Sequence, residues 1–286
     1  EPAVHNCALI TGPFIYNWQN IYEDMFINDA CLKIQTIDDL EIKIQNLIDK
    51  ADAKDKDAML ALGKLHLYGK EGLELNADKA AYLFKESVEA GNIEGYFYLA
   101  KMHLVDKYGI KDINKAINFL TRAGKREHIP SLFQLGKLYF YGKVVNKDIE
   151  KAEEFFRKVA NSDYSDPEAR YFVAYIWENG LIGGFKREEE AFRFYLKAAD
   201  INHKESLFKC GLFYLNGIED YLEVNIDKSI EYFKKASENG HFEAKNYLSM
   251  LYLEEAKYLL KETSKKDPDA KIVYDLIENI NTNIIK

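Results

Sequence analysis

The sequence predicts an all-α protein, a solenoid of helix-turn-helix repeats closed by helical caps, and three observations lead there. A small residue opens a hydrophobic segment six times, at Ala58, Gly95, Ser131, Ala169, Ser206 and Ala244, 36 to 38 residues apart. A second small residue follows each of these five positions later, at Gly63, Ala100, Gly136, Ala174, Gly211 and Ser249. In and after these segments apolar residues recur at helical spacing, the mark of a buried helix face. Fixed positions held through six copies indicate an array in which each unit buries its apolar face against its neighbours.

Taken in order, residues 1–57 form an N-terminal segment and cap, 58–255 the repeats (five and a half), and 256–286 a C-terminal helical cap or coiled-coil-like helix. Residues 17–34 should be helical, and Thr36 with Asp39 offers a capping-box-like start for a stripe of Ile37, Leu40, Ile44, Leu47 and Ile48. Inside each repeat, the eighth position after the opening small residue carries a ring, His66, His103, Tyr139, Trp177, Tyr214 and Tyr252, expected to fill the gap beside the small residues. Gly69, Gly142, Gly180 and Gly217 come three positions later, where the first helix must stop and turn. Repeat two has Asp106 there, with Gly109 slightly after. Second helices open at Asp78-Lys79-Ala80, Lys115-Ala116, Lys151-Ala152, Glu190-Ala191 and Lys228-Ser229, and their apolar stripe is read through Phe84, Phe119, Phe155, Phe194 and Phe233. No glycine follows Leu253, so that helix should run on through Leu260 before Asp267-Pro268 starts a last one bearing Ile272, Leu276, Ile280 and Ile284.

The order A-x-x-x-L-G-x-x-Y-x-x-G, D-x-x-K-A, an aromatic pair, K-A-A and G-H/N-x-x-A resembles the Sel1-like repeat family, a relative of the tetratricopeptide repeat, most closely over 131–160 and 206–244. The resemblance covers roughly residues 58–255 and implies a right-handed α/α superhelix. Gly124 departs from the small-residue pattern of the second helix, and the linker over 161–168 is longer than its equivalents.

Net charge is -8, from 47 acidic against 39 basic residues, which argues against a nucleic-acid partner bound by counterion release. Apolar runs are too short to cross a bilayer. The chain begins at Glu1 instead of Met, which slightly favours export to a periplasm, envelope or extracellular space over a cytoplasmic location. Cys7 and Cys31 lie outside the repeats and could pair in an oxidising compartment or stand as free thiols, whereas Cys210 replaces a core leucine and should be a buried, inert thiol. Five of six histidines fall on repeat positions, His66 and His103 in the ring slot and His128, His203 and His241 in the turn slot that holds Asn92 in repeat one, leaving only His5. Neither H-E-x-x-H, G-x-S-x-G nor C-x-x-C occurs, the glycines of 180–184 lack the order of a phosphate cradle, and Glu188, Glu189 and Glu190 read as a solvated run. No catalytic residue, metal or cofactor is expected.

What remains is a groove. By the resemblance, first helices line it at the second, sixth and ninth positions after each opening small residue. The second gives Leu60, Phe97, Phe133, Tyr171, Phe208 and Asn246, and the sixth gives Lys64, Lys101 and Lys137, then Tyr175, Leu212 and Met250. Phe97, Phe133, Tyr171, Phe208, Lys64, Lys101, Lys137 and Tyr175 are therefore the candidate partner-binding residues, suited to an acidic-then-apolar segment, with the alternative that the rings are core. The resemblance implies a non-enzymatic scaffold that holds another protein as an extended peptide or helix, compatible with a bacterial envelope or host-interaction (virulence) role or with association with a membrane protein. It leaves two alternatives: a secreted cell-wall ligand binder or β-lactamase-like enzyme, whose branch carries a cysteine pair per repeat that is absent here, and a structural subunit assembling through its last helix. A monomer is the expected state.

Overall fold

The computed structural model describes residues 37–69, 73–162 and 166–284. The readings on His5, Cys7, Cys31, residues 1–34, Thr36 and the middle of the 161–168 linker lie outside them, as do those on the side chains of Ile37, Leu40, Ile280 and Ile284. Among the described residues there are helices and turns and a single isolated bridge between Ile218 and Leu222. The chain divides into two compact units, residues 1–126 and 127–286, so that the boundary falls inside the run of repeats.

The first unit holds α1 (Ile37–Asp52), α2 (Lys56–Tyr68), α3 (Ala77–Glu89), α4 (Glu94–Leu104) and α5 (Ile113–Gly124). The second holds α6 (Ile129–Tyr141), α7 (Ile149–Ala160), α8 (Pro167–Glu178), α9 (Glu188–Ala199), α10 (Lys204–Asn216), α11 (Ile226–Glu238), α12 (Phe242–Thr263) and α13 (Pro268–Ile284). Even-numbered helices from α2 to α10 are the first helices of five repeats, and the odd-numbered helices after them are the second. The last elements follow the sequence: α12 continues past Leu260, and the Asp267 carboxylate accepts from the Asp269 N–H at 3.0 Å to open α13.

One main-chain bond recurs in all five repeats. The carbonyl of the eighth-position residue accepts from the N–H of the residue that caps the second helix: Asn76 to His66 (2.9 Å), Asp112 to His103 (2.9 Å), Asp148 to Tyr139 (3.0 Å), Arg187 to Trp177 (3.0 Å) and Asn225 to Tyr214 (2.7 Å). Four of these caps also use their side chains, accepting from the N–H three residues on at 2.8–3.0 Å. Such capping contributes about 1 kcal/mol per helix end and fixes where the chain re-enters helix. Gly69 and Gly142 end α2 and α6 at φ of 62° and 64°, a conformation that side chains disfavour.

The small residues at the fifth position let the two helices of a repeat approach closely, but the ring that fills the gap is not the eighth-position one. An added Cβ at Gly63, Gly136 or Gly211 would lie 2.7, 2.7 or 2.5 Å from a ring carbon of Phe84, Phe156 or Phe233, each fully buried on the second helix. These rings stand four residues after Ala80, Ala152 and Ser229. The sequence reading mixed this register with the position one residue earlier, occupied by Phe119, Phe155 and Phe194, which are only half-buried. Those earlier rings take the eighth-position residue instead: His103–Phe119 (5.7 Å), Tyr139–Phe155 (6.0 Å) and Trp177–Phe194 (4.9 Å), with Tyr232 doing the same for Tyr214 (5.4 Å). The physical reason is the 3.6-residue turn: the fourth residue after the anchor shares its buried face, and the third lies to one side.

Each unit has its own core. Leu60, Leu67, Phe84, Tyr98, Leu99 and Met102 lead that of the first unit. In the second, Leu132, Phe156, Val159 and Phe172 form one cluster, and Tyr195, Leu207, Phe208, Cys210 and Phe233 another.

Candidate functional site

The eight candidate residues fall on five first helices, and the two units place them differently. In the first unit, Lys64 is engaged: its ammonium lies 2.9 Å from the Glu94 carboxylate and 4.7 Å from the centre of the Tyr98 ring. Phe97 is half-buried and meets Tyr98 edge-on at 5.7 Å. Lys101 is exposed, lies over the rings of Phe97 (5.5 Å) and Tyr98 (5.3 Å), and donates to the Tyr68 hydroxyl at 3.4 Å.

In the second unit, Lys137 repeats the carboxylate contact of Lys64, with its ammonium 3.3 Å from Glu168, but the ring it lies over, 5.0 Å away, is Phe133 of its own helix. Phe133 is half-buried against Phe156 and Phe172. Phe208 differs from the other rings of its series. It is 7% exposed, stacked on the His241 imidazole at 4.2 Å and met edge-on by Tyr247 at 5.4 Å. The following helix covers it, so Phe208 belongs to the core.

Tyr171 and Tyr175 come together in an open cleft of about 580 Å³, walled by Phe140 and Tyr141 of α6, by Glu168, Tyr171, Phe172 and Tyr175 of α8, and by His203 and Glu205 at the start of α10. Three consecutive first helices line it and no second helix does. Its rings meet at angles that leave faces open: Phe140 is edge-on to Tyr175 at 6.1 Å and to Phe172 at 5.1 Å, and Tyr171 is tilted against Tyr175 at 6.1 Å. Tyr141, half exposed, stands edge-on to Phe172 at 6.2 Å.

Two carboxylates, Glu168 and Glu205, stand in the cleft wall, the first paired with Lys137. Burial, followed by the negative charge that Tyr175, Glu205, Glu178 and Tyr141 can carry, pushes the Tyr171 phenol up to about 12, so it stays protonated and can donate. Behind it Glu178 accepts from the buried Tyr195 hydroxyl at 2.7 Å and from Lys209 at 2.8 Å, which anchors α8 to α9 and α10. His203 caps α10: Nδ1 lies 2.9 Å from the Ser206 hydroxyl and accepts from the Ser206 N–H at 3.3 Å, while the ring faces Tyr171 at 5.2 Å. Burial holds its pKa below the usual histidine value against the pull of Glu205, Glu168 and Asp166. His128 contacts Ser131 in the same manner at 2.8 Å. All three turn-slot histidines stand at the N-cap of the helix that follows, but only the His203 side chain bonds to that helix's backbone.

Sequence reasoning missed Phe140, Tyr141, Glu168, His203 and Glu205. A signal for the carboxylates was present, because the residue before each opening small residue is Asp57, Glu94, Glu168, Glu205 or Glu243 in five copies out of six, Pro130 being the sixth. Cys210 is fully buried, and burial raises its thiol pKa. Among the described residues no group of three His, Cys, Asp or Glu side chains could hold a metal ion, and no helix is long and apolar enough to cross a membrane.

Comparison with known proteins places these features. Over 32% of its length the chain is 28% identical to the fission yeast (Schizosaccharomyces pombe) chitin synthase regulatory factor 2, a match spanning 92 residues and 18% of that protein. Among solved structures it is similar to a protective antigen of uropathogenic Escherichia coli displaying an SLR fold, with a TM-score of 0.64 at 17% identity, covering 88% of this chain and 54% of that one. A Sel1 repeat protein from Oxalobacter formigenes gives a TM-score of 0.58 at 20% identity, covering 82% and 85%. The chain therefore spans about half of the Escherichia coli structure and under a fifth of the yeast protein. These likenesses agree with an all-α repeat solenoid fold class. The Sel1 repeat is generally a protein-interaction scaffold. The Sel1 repeat model itself matches at 56–92, 93–128, 129–164, 167–203 and 204–241, well over half of the sequence, and the chain belongs to the Sel1 repeat family.

Proposed function

We propose that this chain is a non-catalytic scaffold that binds another polypeptide on its first-helix face, and that in the carboxyl-terminal unit the binding element is the cleft of α6, α8 and α10. One observation carries this reading. The cleft gathers five aromatic side chains from consecutive first helices yet leaves several faces open, in a volume of about 580 Å³. Clustered aromatics in a partly enclosed pocket are where binding free energy concentrates at protein interfaces. A second pocket, about 200 Å³ beside Trp177, Ile182 and Phe185, is smaller and walled in part by Arg157 and Arg187. The test is selection of peptides from a displayed random library on the immobilised full chain. Selected peptides should lose binding to Tyr171→Ala, and peptides indifferent to that change in a folded variant would refute the assignment.

A second reading, assembly through the last helices, is supported by the apolar residues left exposed there: Met250, Tyr258 and Leu259 on α12, and Ile272 and Leu276 on α13. Light scattering decides it, since a monomer at high concentration contradicts it.

A further inference from the structure

We propose that the cleft receives the guanidinium of an arginine from the partner polypeptide, set against the rings of Tyr171 and Tyr175 and paired with Glu205, in the place that a lysine of this chain occupies in other repeats. This rests on the reading of the first-helix face as the partner surface and specifies its chemistry.

The argument comes from a ladder and the point at which it stops. The sixth position after the opening small residue is Lys64, Lys101 and Lys137 in the first three repeats, and the position before that small residue is acidic in nearly all. Where a lysine and the next repeat's carboxylate are both present within one unit, they pair: Lys64 with Glu94 at 2.9 Å, Lys137 with Glu168 at 3.3 Å. Each of these ammonium groups also lies within 5.0 Å of a ring centre, for Lys64 the Tyr98 ring of the next first helix and for Lys137 the second-position Phe133 ring of its own. A cation between an aromatic face and a carboxylate is the recurring device of this surface. In the fourth repeat the lysine is replaced by Tyr175, while the ring of the second position, Tyr171, and the next carboxylate, Glu205, both remain. The cleft opens at that replacement.

Of the two carboxylates in the cleft wall, Glu168 is already met by Lys137 at 3.3 Å, and Glu205 is met only by residues at its own helix end. The lining includes Glu168 and Glu205 and no lysine or arginine. Glu205 lies 3.7 Å from the ammonium of Lys204, its own neighbour in the first turn, and 3.5 Å from His203 Nε2. Lys209 is engaged with Glu178 at 2.8 Å. Lys137, this unit's member of the lysine ladder that suggested an acidic partner segment, is already paired with Glu168, so charge complementarity at the cleft favours a basic one. Of the two basic side chains, arginine fits better: its planar guanidinium stacks on a ring face while its N–H fork meets a carboxylate, which the compact lysine ammonium does less well.

The test titrates acetyl-arginine amide into the full chain carrying 13C-labelled tyrosines, with acetyl-citrulline amide as the uncharged isostere. The Tyr171 and Tyr175 ring resonances should shift saturably with arginine, and citrulline should bind about tenfold more weakly, the combined effect of a ring–cation contact and an ion pair. Glu205→Gln should weaken arginine binding by a similar factor, and Tyr175→Lys, which supplies the missing cation from within the chain, should abolish the Tyr171 response while the helical circular dichroism is retained. Equal binding of the two amides, or unchanged arginine affinity in folded Glu205→Gln, would overturn the proposal. Library-selected peptides separate it from the broader reading. Peptides that depend on Tyr171 but lack arginine would sink the arginine assignment alone, and peptides indifferent to Tyr171 would sink both.

Discussion

Gly136→Ala isolates the close approach of first and second helices on which the repeat depends. The new Cβ would lie 2.7, 2.8 and 3.1 Å from Cε1, Cδ1 and Cζ of Phe156. Carbon atoms prefer separations of about 3.5–4.0 Å, so the ring must retreat by roughly 1 Å. It has nowhere to go. Phe156 is fully buried and stacks on Phe172 at 4.5 Å with the rings only 7° from parallel, and Phe133 and Phe140 close two more sides at 5.6 and 6.2 Å. Replacing a mid-helix glycine by alanine would alone stabilise by about 1 kcal/mol. Overpacking of a filled core costs about 1–3 kcal/mol, which should reverse that sign and leave the variant about 1 kcal/mol less stable. Urea unfolding followed by circular dichroism measures the difference. The double variant Gly136→Ala with Phe156→Leu supplies the control, because room made at Phe156 should render the two changes less than additive. A Gly136→Ala protein more stable than the parent, or strict additivity in the double variant, would refute the packing argument.

Three other outcomes follow from the same geometry. Phe208→Ala should cost about 3–5 kcal/mol as a core truncation, with a much smaller loss in Tyr171→Ala, whose ring faces the open cleft; unfolding midpoints of the two variants compare them. Tyr195→Phe removes a 2.7 Å bond to Glu178 from a fully buried phenol and should cost about 1.5 kcal/mol by the same assay, whereas no loss would mean the hydroxyl is not holding α8 to α9. His66 and His241 each have a buried ring nitrogen with no hydrogen-bond partner, and burial holds both pKa values below the usual 6.5. Their neutral forms are favoured in the folded chain, so the stability linked to them is complete above about pH 6.5 and is lost as pH falls below it, when the unfolded chain takes up protons first. His66→Tyr, the residue of the same slot in repeats three and five, should make the thermal midpoint less sensitive to lowering pH from 7.5 to 5.5.

The repeat was legible because its register is carried by local, periodic residues: small at the opening and fifth positions, glycine at the turn, apolar at 3.6-residue spacing. Helix identity, the run-on of α12 and the burial of Cys210 all follow from such local marks. Exposure did not follow so readily. Phe133 and Phe208 occupy the same slot, yet one is half-buried and the other is sealed by His241 and Tyr247, residues more than thirty positions along the chain. The lysines at the sixth position read as a free basic strip, but the next first helix sets Glu94 beside Lys64 and Glu168 beside Lys137. Both omissions have one cause. A first helix is covered or completed by its successor, and the successor's contribution lies a whole repeat away in sequence. Tyr171 and Tyr175 were identified from their positions, but the cleft they form needed Tyr141 from one side and Glu205 from the other.

Intermolecular nuclear Overhauser effects between a library-selected peptide and the labelled rings of the full chain test the central claim most directly. The account predicts contacts from the peptide to Tyr171, Tyr175 and Tyr141, on the first-helix face of the carboxyl-terminal unit. Contacts confined to Tyr139, Phe155, Trp177 and Phe194, the rings paired between first and second helices, would contradict it.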